Sequence, residues 1–205
     1  MMRLLILVFI AALGFLVWQR FGRTKGVYLK QVFDVPVETR LVAEGRKNRP
    51  GKKRNIEKIV IHETGNTSEG ADAAAHAKLQ ADGGMGTTSW HYTVDDHVIY
   101  HSIPDDEIAW HAGDGADGDG NVHGIGIELC VNADGNFEKT FDNGAKLAGY
   151  LMAVYDLPRE ALTQHFDYTG KNCPQTIRET GRWEEFAAKT AEYQKQAEEQ
   201  LKSEQ

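Results

Sequence analysis

The segment Ile56–His62, with the sequence IEKIVIH, is a short apolar run that ends in a histidine. Its apolar residues are all β-branched, and a run of this kind is typical of a buried strand at the centre of a sheet. The next four residues, ETGN, are polar and favour a turn. Because sites in open α/β sheets lie at the carboxyl ends of strands, His62 is a candidate site residue.

Further strands and helices are predicted on the C-terminal side of this run. The strand-like segments are SWHYTVDD (89–96) and VIYHSI (98–103), which form a predicted hairpin, and HGIGIELCVN (123–132). One helix is predicted to begin near Ser68 and end at Ala81. Two more are predicted over residues 143–155 and 182–201. The segment DGADGDGN (114–121) is predicted to be a polar loop. This order predicts an α/β fold in which a single mixed central sheet is flanked by helices.

Composition and charge limit the classes of partner. The chain has 205 residues, of which 41% are apolar and 26% charged, so it is long enough for one folded domain and is not expected to be disordered. Its net charge is −7, which argues against a nucleic-acid partner. Residues 45–58 are nevertheless strongly basic. We interpret this run as a solvated linker, with binding to an anionic polymer or a membrane surface as the alternative.

The N-terminal residues differ from the rest of the chain. Residues 4–18, LLILVFIAALGFLVW, carry no charge. A helix of this length spans about 22 Å, against roughly 30 Å of bilayer hydrocarbon, which fits the apolar part of a signal sequence. Because no small-residue cleavage site follows, we interpret residues 1–25 as a signal anchor or uncleaved signal segment that contacts the membrane. A buried core helix is the alternative, and the Lys and Arg residues after the run favour a cytoplasmic C-terminal part.

Cys173, in the stretch QHFDYTGKNCP (164–174), is one of two cysteines in the chain. It could be a nucleophile activated by His165, half of a disulfide with Cys130, or a metal ligand. A zinc ion held by His62, His165 and Cys173 would keep its fourth position open for water, as catalytic zinc sites do. The spacing alone leaves these alternatives open.

Five motifs occur in an order that resembles a known family. They are IVIHETGN (59–66), SWHYTVDD (89–96), HSIPDDEIAWHAGDG (101–115), GIGIELCVN (124–132) and QHFDYTGKNCP (164–174). Together they resemble the zinc-dependent N-acetylmuramoyl-L-alanine amidases of type 2, whose fold is shared with peptidoglycan recognition proteins. The resemblance covers about Ile56 to Ile177. Within the family, this region is similar to the amidases of Gram-positive bacteria and to the endolysins of their phages.

The resemblance implies a role for each matching residue. His62, His165 and Cys173 match the ligands of a Zn²⁺ cofactor. Glu128, in GIELC, matches the catalytic carboxylate, and Lys171, in GKNCP, matches a catalytic residue that faces the substrate oxyanion.

Three further residues are assigned by the same resemblance. Trp90 stands where some relatives carry a catalytic tyrosine, and we assign it to substrate binding. Trp110 and His111 lie in the motif that the resemblance places beside the substrate groove. They are assigned to substrate contact or to support of the metal site, and loop packing is the alternative.

We expect a basic juxtamembrane linker (26–55) with one strand in VPVETRLV (35–42), a zinc amidase catalytic domain (56–190) and a charged C-terminal helical tail (191–205). The last dozen residues of the tail are expected to fray. The implied function is a peptidoglycan hydrolase that cleaves the amide between N-acetylmuramic acid and L-alanine. The alternative is a non-catalytic muropeptide-binding module of the same fold. We expect a monomer that is secreted, or anchored in the membrane with the catalytic domain facing the cell wall. A cellular wall hydrolase and a prophage lysin remain equal alternatives.

Overall fold

The computed structural model describes residues 26–203, which form a seven-stranded sheet with helices packed on it. The strands are β1 (Gln31–Val32), β2 (Val35–Thr39), β3 (Lys58–Glu63), β4 (Tyr92–Val94), β5 (Ile99–His101), β6 (Gly124–Leu129) and β7 (Leu162–Gln164). The helices are α1 (Ala73–Ala81), α2 (Asp119–His123), α3 (Phe137–Val154), α4 (Phe166–Thr169), α5 (Gln175–Glu179) and α6 (Trp183–Ser203). A 3-10 helix, Arg159–Ala161, precedes β7.

The sheet is mixed, with the order β1-β2-β5-β4-β6-β3-β7. Strands β4, β6, β3 and β7 are parallel, whereas β4 and β5 form the predicted antiparallel hairpin. The run that ends at His62 becomes β3, between β6 and β7. The predicted class, a single mixed sheet flanked by helices, is therefore confirmed.

The two faces of the sheet have different roles. Ile59 and Ile61 of β3 and Ile127 of β6 belong to the main apolar core, together with residues of α3. Since side chains alternate along a strand, His62 and Glu128 lie on the opposite face. These two residues are direct partners in the β3–β6 register. His62 and Glu128 therefore share one face because of the strand period.

Helices α3 and α6 cover the apolar face and pack on each other at very short range. Gly149 of α3 allows this approach, because a Cβ there would lie 2.6 Å from the carbonyl oxygen of Thr190. Helix α3 begins at Phe137, earlier than the predicted 143, because the Asn136 side chain accepts a hydrogen bond from the Lys139 backbone N–H and caps it. Helix α6 runs unbroken to Ser203 and buries Ala197, so residues 194–203, the described part of the stretch expected to fray, are helical.

Two other predicted boundaries differ from the structure. Helix α1 begins at Ala73 instead of near Ser68, since Asp72 caps it by accepting from Ala75 N–H. Before that cap, Gly70 has a φ of +73° and donates its N–H to Asp134. The predicted polar loop at 114–121 ends in the short helix α2, which begins at Asp119.

Residues 26–55 belong to the folded domain, which corrects their interpretation as a linker, whereas the strand expected within 35–42 is confirmed as β2. They supply β1 and β2, and β2 pairs with β5. The basic run is partly buried: Arg49 donates to both carboxylate oxygens of Glu107, at 2.8 and 2.9 Å, and Arg54 Nε donates to the Glu107 carbonyl. A carboxylate 58 residues away in sequence thus neutralises a charge that was expected to be solvated.

Residues 1–25 lie outside the described part of the chain, and with them the apolar run 4–18. Across residues 26–203, no helix has both the length and the apolar character that crossing a bilayer requires.

Candidate metal centre

Three side chains that are distant in sequence converge at one end of the sheet. The donor atoms of His62, His165 and Cys173 all lie within 4.8 Å of one another, and all three residues are buried. The two histidine Nδ1 atoms are 3.0 Å apart, and Cys173 Sγ is 4.0 Å from His62 Nδ1. Bonds of about 2.0–2.3 Å from a zinc ion to nitrogen and sulfur fit a donor set of this size.

The pairing of strands and one tight turn bring these donors together. His62 lies in β3 and His165 directly follows β7, its parallel neighbour, with His165 N–H donating to Ile61 O. Helix α4 then ends at Gly170, whose φ of +73° reverses the chain. The turn brings Cys173 back to β3, where its Sγ accepts from the backbone N–H of Glu63 at 3.5 Å.

The protonation states of these residues suit a cation. Burial holds the pKa of His62 well below its ordinary value and lowers that of His165 to about 4, so both imidazoles are neutral near pH 7 and can ligate. Burial raises the pKa of the Cys173 thiol to about 12. A thiolate at this position therefore needs a cation beside it, and without one the thiol would be a poor nucleophile.

The other two explanations of Cys173 are weakened by the structure. Both Cys130 and Cys173 are free thiols and form no disulfide within residues 26–203. Activation by His165 would require an imidazole that accepts a proton readily, whereas its pKa is lowered to about 4. The metal-ligand hypothesis is the one that the geometry supports.

Glu128 lies beside the three donors but outside their group. Its Oε1 is 3.9 Å from His62 Nδ1, and its Oε2 is buried with no hydrogen-bond partner among the described residues. Burial raises the pKa of Glu128 to about 8, and the nearby Lys171 offsets part of this effect. A carboxyl group with a pKa near neutrality, with one oxygen unengaged, is suited to proton transfer.

Lys171 lies on the rim of a groove that reaches Cys173. The groove has a volume of about 460 Å³, and Lys171, Cys173, Glu179 and Phe137 are among its lining residues. A second cleft of about 450 Å³ is lined by Trp110 and includes Gly113. A Cβ at Gly113 would lie 3.6 Å from His165 Nε2, so this cleft borders the donors from the histidine side.

The structure separates the three residues that were assigned to substrate binding. Trp110 is half-buried in the second cleft. Trp90 is only 3% exposed, and its indole N–H donates to Thr93 Oγ1, so its placement is not consistent with direct substrate contact. His111 is also buried, and its two ring nitrogens contact His62 Nε2 and the Gly124 carbonyl oxygen.

Two residues near the site were missed by the sequence analysis. Glu63, directly after His62, accepts hydrogen bonds from the backbone N–H groups of Thr176 and Ile177 and so fixes the start of α5 beside Cys173. Asn121 is buried and accepts from the N–H groups of His111 and Ala112. The position of Glu63 next to a strand-end histidine was an available sequence indication, whereas Asn121 lies in an unremarkable polar segment.

Comparisons with known proteins agree with this geometry. Residues 52–176 match the family model described as N-acetylmuramoyl-L-alanine amidase. The chain is 43% identical over 143 residues to the N-acetylmuramoyl-L-alanine amidase CwlH of Bacillus subtilis (strain 168), covering 70% of this chain and 57% of that protein. It is 45% identical over 144 residues to XlyA of the same organism, covering 70% and 47%. The chain thus spans about half the length of these curated relatives.

Solved structures show the same fold. The catalytic domain of XlyA superposes with a TM-score of 0.72 at 42% identity, covering 76% of this chain and 99% of that domain. The structure of PlyL gives a TM-score of 0.70 at 28% identity, covering 76% and 97%. The resemblance inferred from the five motifs is therefore confirmed.

Proposed function

Because this chain belongs to the N-acetylmuramoyl-L-alanine amidase family, we propose that it hydrolyses the amide between N-acetylmuramic acid and the L-alanine of the peptidoglycan stem peptide. One observation carries the proposal: His62, His165 and Cys173 converge, with Glu128 directly beside them. This arrangement joins a cation site to a proton-transfer group, which is what hydrolysis of an unreactive amide requires.

The donor set fits Zn²⁺, since two neutral imidazoles and one thiolate are ligands that zinc prefers. Bound zinc would polarise the amide carbonyl and lower the pKa of a coordinated water to about 7. With a charge of −1 from Cys173 and none from the histidines, the ligands leave the site a net positive charge that attracts a carbonyl oxygen.

Glu128 is the group that moves the proton. Its carboxylate takes a proton from the attacking water and then delivers it to the leaving amide nitrogen. The unengaged Oε2 supports this role, because no described hydrogen bond has to break first. Lys171 shares a loop with Cys173 and faces the same groove, so its ammonium group can stabilise the oxyanion that forms from the carbonyl.

The two clefts on either side of the donors support a placement of the substrate. The scissile amide joins a sugar to a peptide, so the two halves of the substrate extend in opposite directions from it. We assign the stem peptide to the groove beside Lys171 and Cys173, and the sugar to the cleft of Trp110, whose ring offers an apolar face for a sugar ring.

The test is mass spectrometry of muropeptides after incubation with the purified protein, with and without a chelator. We expect free stem peptides that begin with L-alanine, and loss of this product when the chelator is present. Glu128→Gln should reduce the rate by about 10²–10⁴-fold. If the protein binds muropeptides but releases them intact, it is the non-catalytic binding module. The presence of Cys173 argues against this outcome, because loss of the metal cysteine is expected in such a module.

The cellular location of the protein is a prediction from the apolar run 4–18. We propose that they retain the protein at the membrane with the folded domain on the wall side, where peptidoglycan lies. The Lys and Arg residues that follow the run oppose this orientation. Protease treatment of intact protoplasts decides the matter: a domain that is digested only after the membrane is broken faces the cytoplasm, contrary to the proposal.

A further inference from the structure

The segment His111–Gly113 lies beside the ring nitrogens of the two metal-site histidines that do not face the other metal donors. His111 Nδ1 is 3.1 Å from His62 Nε2. His165 Nε2 lies near Gly113, 3.6 Å from where a Cβ of that residue would be. The Nδ1 atoms of the two histidines, by contrast, face each other in the metal site.

The hydrogen bonds of His111 determine which nitrogen of His62 carries the proton. His111 Nε2 lies 3.1 Å from the Gly124 carbonyl oxygen, which can only accept, so Nε2 must carry the His111 proton. His111 Nδ1 is then a lone-pair acceptor, and the proton in its contact with His62 belongs to His62 Nε2. This leaves the Nδ1 lone pair of His62 directed toward the metal donors, as ligation requires.

The segment is held in place by Asn121 and by the absence of a side chain at Gly126. Asn121 Oδ1 accepts from the N–H groups of His111 and Ala112, both at 2.8 Å, and its Nδ2 donates to Gly115 O. A Cβ at Gly126 would lie 2.7 Å from His111 Cγ, so only glycine leaves room for this imidazole. These contacts are independent of any substrate.

We propose that His111 is a positioning group, held in place by Asn121, that sets the tautomer of the metal histidine His62. The inference rests on the metal centre of the proposed function. It assigns His111 to support of the metal site instead of substrate contact, because both of its ring nitrogens are engaged and the residue is only 6% exposed. Partners of this kind on metal histidines contribute about 10–100-fold to metal affinity.

The first experiment compares two variants of similar size in the full chain. His111→Leu removes the acceptor for His62 Nε2–H, whereas the amide oxygen of His111→Asn occupies nearly the place of Nδ1 and can still accept. Zinc affinity is measured by competition with a chromophoric chelator. We expect about 10–100-fold weaker binding for the leucine variant and a change within about threefold for the asparagine variant. Trp110→Ala, which alters the sugar cleft, is the control and should leave zinc affinity unchanged.

A second measurement does not depend on zinc. In the zinc-free protein, ¹⁵N NMR of the histidine rings should show His62 protonated at Nε2, and this preference should be lost in His111→Leu. Asn121→Leu should weaken zinc binding in the same way, and Asn121→Asp, which keeps the accepting oxygen, should restore most of it.

Three results would overturn the inference. The first is unchanged zinc affinity in folded His111→Leu. The second is a raised KM of His111→Leu with parental kcat and parental zinc affinity. The third is a His62 protonated at Nδ1 in the zinc-free parent. Failure of the proposed function is recognised separately, because a parent protein that binds zinc but does not cleave muropeptides would leave the zinc-affinity and NMR readouts intact.

Discussion

Replacing Glu128 by glutamine should make the zinc-free protein more stable above neutral pH. The carboxyl group is buried next to His62, and burial raises its pKa from 4.5 to about 8. Between these pH values the folded protein keeps a proton that the unfolded chain has released. The free energy of unfolding therefore falls as pH rises through this range and falls no further above about pH 8.

The size of the effect follows from the displacement of the pKa. Because one pKa unit corresponds to about 1.4 kcal/mol, the loss of stability in the parent reaches at most about 5 kcal/mol by pH 8. Glutamine does not titrate and is nearly isosteric with the protonated carboxyl, so Glu128→Gln avoids this loss. Neighbouring histidines have lowered pKa values and titrate at lower pH in both proteins, so their contribution largely cancels in the difference.

The assay is urea unfolding of both proteins at about pH 5 and about pH 8, with a chelator present throughout. We expect nearly equal unfolding free energies at the lower pH and a variant that is more stable by a few kcal/mol at the higher pH. An equal difference in unfolding free energy between variant and parent at both pH values would refute the argument. It would mean that folding does not raise the pKa of the Glu128 carboxyl.

Three further predictions concern the metal, the oxyanion and the helix contact. Cys173→Ala should abolish stoichiometric zinc in elemental analysis, whereas Cys130→Ala, at the other buried thiol, should retain it. Lys171→Met should lower the hydrolysis rate about 10²–10³-fold with zinc content unchanged, and Lys195→Met, at an exposed position of α6, should have no effect. Gly149→Ala should destabilise the fold by about 1–3 kcal/mol in urea unfolding, since its Cβ would meet the backbone of α6.

Each of these has a contrary outcome. Full zinc occupancy in Cys173→Ala would remove the cysteine from the ligand set. A Lys171→Met variant with parental activity would show that the ammonium group does not meet developing charge. A Gly149→Ala variant as stable as the parent would mean that α3 and α6 can separate without loss of packing.

The strand pattern predicted the sheet and one face of the site. In β3 and β6 the side chains alternate between the core and the opposite face, so the run before His62 and the run around Glu128 each show which side their polar residue occupies. This information is local, because the period of a strand is set by its own backbone. The order of the five motifs, one of which carries Lys171 and Cys173, indicated the family.

Local pattern predicted one strand within residues 26–55 but not that the segment belongs to the folded domain. Its charges indicate solvent exposure. Arg49 is nevertheless buried, because Glu107, from a distant part of the chain, pairs with its guanidinium group in the fold. A basic residue is counted as exposed unless its partner is known, and the partner is known only from the tertiary structure.

The roles of Trp90, His111 and Asn121 were likewise decided by packing. The sequence determined that a histidine lies at position 111, beside motifs that carry metal ligands, but it left substrate contact, support of the metal site and loop packing open. The tertiary structure turned its ring toward His62 and Gly124, with Gly126 providing the space and Asn121 the anchor. The physical reason is that a hydrogen bond depends on distance and direction between atoms, and residues far apart in sequence acquire these only when the chain is folded.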